Sequence, residues 1–121
     1  MKRDIDLFKK ILQRVRDEMP YDAKYYEFME GDFDCTHAMV KYHIRLLASD
    51  DFVEAIQSFN GVKIITNKGH DLLELLENTG IMAKIKDHAS KFPDLTLSAI
   101  FSVAVQFGVE QLTALFHKLT G

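Results

Sequence analysis

Five histidines and one cysteine are the residues of this 121-residue chain suited to metal ligation or nucleophilic attack. Their spacing favours neither. His37 and His43 fall roughly 120° apart on a helix, and no HxxxH or CxxC pair exists to hold a tetrahedral metal. His43 sits at the edge of an apolar stripe and reads as a half-buried packing residue. Cys35 has no adjacent base. A helix start there would acidify it somewhat, but a structural thiol is the simpler reading. Asp50-Asp51 and the acidic run Glu27 to Asp34 lack calcium-loop spacing. There is no glycine-rich phosphate loop and no nucleophile elbow. The expectation is a protein that is not an enzyme, with no catalytic residue, no metal and no cofactor.

A second kind of chemistry, recognition of phosphates and base edges, has better material. On a helix through 36–49, Lys41, Tyr42 and Arg45 fall opposite Val40, Ile44 and Leu47. Thr36 and His37 stand at its start. Lysine and arginine meet phosphates or guanine edges, and tyrosine stacks or bonds a phosphate. The bland counterpart is that two cations are what any solvated helix face carries. Lys63 is the one cation of the following hairpin. Lys9, Lys10, Arg14 and Arg16 lie off the first helix's stripe and would widen a basic patch if they lay alongside.

The elements that position these residues are readable from periodicity. Phe8, Ile11, Leu12, Val15 and Met19 mark an amphipathic helix over 5–19, capped by Asp4 or Asp6 and stopped by Pro20. Tyr25, Tyr26 and Phe28 suggest a short strand, embedded in a segment whose local charge is -4 (Lys24 against Asp22, Glu27, Glu30, Asp32 and Asp34). A loop is the alternative there. Asp34 or Thr36 caps the next helix. Strand Phe52 to Phe59 then leads to Asn60-Gly61, the dipeptide of a type I′ turn, and Val62 to Ile65 returns, pairing Phe59 with Val62 and Gln57 with Ile64. Thr66 caps a helix to about Asn78 with Leu72, Leu73 and Leu76 inward. Thr79-Gly80 breaks it, and Ile81, Ile85, Ala89 and Phe92 mark one more element before Pro93.

Helix, ribbon, helix in that order is the back half of a winged helix-turn-helix, and a strand at Tyr25 would be the third member of the wing sheet. The segments MKRDIDLFKKIL (Met1 to Leu12), VKYHIRLLASDDFVEA (Val40 to Ala55) and an ITNKGHDLLELL-type stretch (within Ile64 to Leu76) resemble a family of small bacterial and phage-borne proteins catalogued as a domain of unknown function. The resemblance covers most of the first 80 residues. It implies a winged-helix-like fold and DNA binding, and it implies no catalytic residues. One departure stands out: between Pro20 and Phe52 there is room for a strand and one helix, where a helix-turn-helix needs two.

The tail from Leu95 to Leu119 is apolar on too many sides for one stripe, with Gly108 dividing two helices. Leu97, Ile100, Phe101, Ala104, Phe107, Leu112 and Phe116 are therefore the candidate interface of a homodimer formed through C-terminal helices; folding back onto the chain's own core is the alternative. Composition sets the outer limits. A net charge of -3 and pI near 5.9 do not advertise nucleic-acid binding. One cysteine excludes an internal disulfide framework and fits the cytoplasm. The charged start lacks the apolar run of a signal peptide, and no stretch reaches the length of a membrane span. The expected fold is α+β and mainly helical, a winged-helix core over 1–79 with a helical extension over 80–121. The expected function is that of a small DNA-binding transcriptional regulator; the alternative, favoured by the acidic strand and the net charge of -3, is a protein-interaction module on a winged-helix scaffold with no DNA binding.

Overall fold

The computed structural model describes residues 2–120. Their order is α1 (Ile5–Glu18), β1 (Tyr26–Glu27), α2 (His37–Ser49), β2 (Val53–Ala55), β3 (Gly61–Ile65), α3 (Asn67–Glu77), α4 (Thr79–Lys91) and α5 (Leu97–Thr120). The fold is α+β and mainly helical, with one small antiparallel sheet of order β1-β3-β2. The chain divides into two compact units, Met1–Leu73 and Glu74–Gly121, the boundary falling within α3.

In the first unit the helices begin where side-chain oxygens can cap them. The Asp4 carboxylate accepts the Leu7 N–H at 3.3 Å and the Thr36 hydroxyl accepts the Met39 N–H at 3.2 Å. The apolar stripe of α1 (Phe8, Ile11, Leu12, Val15) and that of α2 (Val40, Ile44, Leu47) are buried together with Phe28, Phe52 and Val62. Full burial of each such side chain contributes roughly 1.5–3 kcal/mol. Tyr26 and Glu27 do form a strand, and it pairs with β3, Tyr26 against Val62.

The hairpin differs from the expected two-residue closure. Val53 pairs with Ile65, Glu54 with Ile64 and Ala55 with Val62, with a bulge between Glu54 and Ala55. The chain turns over Ile56 to Phe59, where the Phe59 N–H donates to the Ile56 carbonyl at 3.0 Å. Phe59 itself takes the left-handed conformation, φ 58°, and neither Asn60 nor Gly61 has positive φ. Gly61 is required for another reason. A Cβ there would lie 2.9 Å from the Tyr26 carbonyl oxygen and 3.1 Å from Ile56 Cδ1, so the third strand could not pass so close.

A similar approach fixes α3 to the base of the hairpin. A Cβ on Gly69 would meet the Phe52 carbonyl oxygen at 1.9 Å. That carbonyl accepts the Thr66 N–H at 3.1 Å, while the Thr66 hydroxyl donates to the Asp51 carbonyl at 2.6 Å and accepts the Gly69 N–H at 3.1 Å.

In the second unit Asn78 ends α3 and caps α4, its side-chain oxygen accepting the Ile81 N–H at 3.1 Å. The expected break at Thr79-Gly80 is thus a single residue long, and both of those residues belong to α4. Leu76, Ile81, Met82, Ile85, Leu97, Ile100 and Ala104 are buried. Helix α5 runs unbroken through Gly108, which corrects the expected division. A helical glycine costs about 1 kcal/mol relative to alanine, too little to break a helix of 24 residues. The same helix corrects the expectation about membrane spans: from Leu97 to Leu119 it is long and apolar enough to cross a membrane by length and composition alone.

Candidate functional site

The proposed recognition residues sit mainly on α2, and three connections hold that helix in place. Its inner stripe packs against α1 and β2. Thr36 caps its first turn. His43, which is fully buried, ties it to the start of α1: the Asp4 N–H donates to His43 Nε2 at 2.7 Å, and His43 Nδ1 faces the Met39 carbonyl at 2.8 Å. Because Nε2 accepts, the proton must reside on Nδ1, and the ring is neutral. Burial lowers its pKa below the ordinary value, with the Met39 carbonyl and the Asp4 carboxylate acting in the opposite direction. The expected half-buried packing residue is therefore a fully buried polar tie, with Phe8 4.7 Å away ring to ring.

Outward from this frame, Arg45 is exposed and Lys41 and Tyr42 are half-buried. Tyr42 stands edge-on to His43 at 5.5 Å, so its ring is braced from below. Neither Lys41, Arg45 nor Lys63 forms an ion pair among the described residues. Of the α1 cations, Lys9 and Lys10 form none either among the described residues, whereas the two arginines do. Arg14 pairs with Glu18 at 3.0 Å and Arg16 with Asp17 at 2.8 Å. Thr36 is engaged as a cap, and the Nδ1 atom of half-buried His37 is enclosed without a hydrogen-bond partner. The structure thus gathers Lys41, Tyr42 and Arg45 on one helix surface. Lys63 is exposed on β3 next to inward-facing Val62.

Among the described residues there is no helix between β1 and α2, where a full helix-turn-helix would have one. In its place the chain turns at Met29 to Asp32, where the Asp32 carboxylate accepts the Met29 N–H at 2.8 Å and its own N–H donates back to the Met29 carbonyl at 3.2 Å. This turn and α1 bound an open cleft of about 440 Å³ lined by Lys10, Gln13, Arg14, Asp17, Asp32 and Phe33, among others. The Arg14 guanidinium lies over the Phe33 ring at 5.0 Å and donates to the Asp32 carbonyl at 3.4 Å. No spacing in the sequence announces this cleft, because its walls come from segments about twenty residues apart. Cys35 is close by. Burial pushes its thiol up, with the Asp4 and Asp34 carboxylates adding to the rise against Lys10, so the expected acidification is reversed. Among the described residues no three histidine, cysteine or carboxylate side chains cluster to hold a metal.

The interface residues expected on the tail fall into two sets. Leu97, Ile100 and Ala104 are buried within their own unit, and Phe101 and Phe107 are half-buried, Phe107 lying 5.3 Å beneath Lys84 Nζ. Leu112 and Phe116 are exposed. Val105, Val109, Leu115 and Leu119 are exposed as well.

A family model described as "Hypothetical protein (DUF2513)" matches residues 2–94. The match reaches through α4, further than the 80 residues the motifs alone suggest, and ends before α5. No curated protein and no solved structure matches the chain.

Proposed function

The chain belongs to the DUF2513 family, and from that premise we propose that it is a small DNA-binding regulator of winged-helix type, working through the outer face of α2. The carrying observation is the contrast in pairing: Lys41 and Arg45 have no carboxylate partner among the described residues, whereas Arg14 and Arg16 on α1 do. Unpaired cations on a braced helix surface are what phosphate contacts require. The order β1-β3-β2, with α2 feeding directly into the hairpin, supports the winged-helix reading. The missing first helix of the pair makes α2 the single reading element, with Thr36 and His37 at its leading end and Lys63 reaching from the sheet. In this reading the protein acts in the cytoplasm of bacteria carrying it on the chromosome or on a phage or other mobile element. It performs no catalysis, needs no cofactor and works as a homodimer.

A specific observation favours a second reading, a protein-interaction module on the same scaffold. The segment Glu27 to Asp34 is acidic and largely exposed, and β3 offers one cation against it. The two readings separate in a titration of the protein with random-sequence duplex DNA at about 50 and 200 mM salt. Affinity that falls steeply with salt, and that Lys41→Ala with Arg45→Ala abolishes, supports the regulator. No binding at the lower salt overturns it and leaves the interaction module.

A further inference from the structure

We propose that the C-terminal half of α5 is a homodimer seam in which Val105, Val109, Leu112, Phe116 and Leu119 pack against the same stripe of a second copy of the chain. This deepens the homodimer part of the preceding reading and stands apart from its nucleic-acid part. The five positions are separated by four, three, four and three residues. That alternation is the 3.5-residue repeat by which two helices interlock knobs into holes. It is not needed to pack a helix onto its own domain, and here much of the stripe faces water: the five are 42, 57, 68, 66 and 78% exposed, and Leu115, which flanks the seam, is 55% exposed. The inner side of the same helix is occupied elsewhere, by Leu97, Ile100 and Ala104 in the buried core and by the Asn78 amide donating to Gln111 at 3.0 Å.

The surface involved is of the size a dimer needs. The six side chains leave on the order of 600 Å² of apolar area in water, at the top of what a monomer exposes in one patch. Two copies would together bury roughly 1,200 Å², the lower bound of a stable specific interface. A two-fold axis supplies each valine, leucine and phenylalanine with an equivalent residue, so the stripe is its own complement and asks for no other sequence.

A lipid partner fits less well, although the helix is long and apolar enough to span a bilayer. Spanning would carry Glu110, Gln106 and Gln111 into hydrocarbon. Lying on an anionic surface calls for a basic polar face, whereas this helix sets Gln106, Glu110, Thr113, His117 and Lys118 off the stripe, its one acid standing against its one lysine.

The test is sedimentation velocity of the full chain across a concentration series. Wild type is expected to sediment at twice its 13.9 kDa. Leu112→Glu with Phe116→Glu is expected to raise the dissociation constant at least about 100-fold while leaving the far-ultraviolet circular dichroism intact, since both side chains are exposed. Leu112→Ser with Phe116→Ser is the uncharged version, expected to weaken the dimer in the same direction. A wild type that stays monomeric throughout, a dimer indifferent to both pairs of substitutions, or a monomer that floats with phosphatidylcholine–phosphatidylglycerol vesicles would each overturn the proposal. DNA titration and mass fail independently, so loss of one reading leaves the other to its own measurement.

Discussion

Helices α1 and α5 are both rich in apolar residues, yet they use them differently. In α1 the apolar positions share one side, and Phe8, Ile11, Leu12 and Val15 all end at 4% exposure or less. In α5 they occupy more of the circumference; Leu97, Ile100 and Ala104 are covered while Val105, Val109, Leu112, Leu115, Phe116 and Leu119 are exposed. Helical periodicity identifies which residues share a face. Whether that face is covered depends on what else the chain brings to it, and for α5 the rest of the chain covers only the first half.

Substitutions can sharpen this contrast. Phe8→Ala should cost the most, about 3–5 kcal/mol of unfolding free energy, whereas Phe116→Ala should cost under about 1 kcal/mol in a monomeric background. Urea melts of the two variants check the pair, and similar losses would show that α5 is covered after all. Gly69→Ala should come next, losing several kcal/mol, on the order of an overpacked core position, because the Phe52 carbonyl occupies the space its methyl group needs. A variant with an unchanged melting temperature would mean that α3 sits further from the hairpin.

The third effect depends on pH. His43 is held neutral by burial, its pKa lowered in the folded state. The unfolded chain, with an ordinary value of about 6.5, therefore binds the proton first, and stability is fully present above that pH and declines as pH falls below it. Protonation would also set an Nε2–H against the Asp4 N–H that now donates to it. The urea midpoint of wild type should fall between about pH 7 and 5, and the part due to this residue should vanish in His43→Gln. Equal pH slopes in the two proteins would remove His43 from the account. A small effect is also expected at the start of α2: Thr36→Ala should cost about 1 kcal/mol through the lost cap, read from the same melts.

What could be read from the chain beforehand was mostly local. Asp4, Thr36 and Thr66 cap the helices that follow them, and Leu72, Leu73 and Leu76 turn inward, because each of these signals operates within one or two turns. The strand at Tyr26 was legible from its aromatics. Asn60-Gly61 misled because the dipeptide matches a local turn rule, while the need for glycine arises from β1, more than thirty residues earlier in the chain. His43 was misjudged for the same reason: its partner is the Asp4 backbone, which no helical wheel displays. Of the candidate site, the membership of Lys41, Tyr42 and Arg45 in one face followed from spacing. Their freedom from ion pairs did not, since it depends on where the carboxylates of other segments lie.

Asn78 has a consequence for how this protein tolerates length changes. It is the whole connection between two helices, closing one and capping the next. A joint of one residue has no slack. An inserted residue there would turn every position of α4 by about 100°, moving Ile81, Met82 and Ile85 off their buried side at once. Deletions would do the same in the other sense. The junction at Asn78 is therefore a point where the length of this chain cannot change.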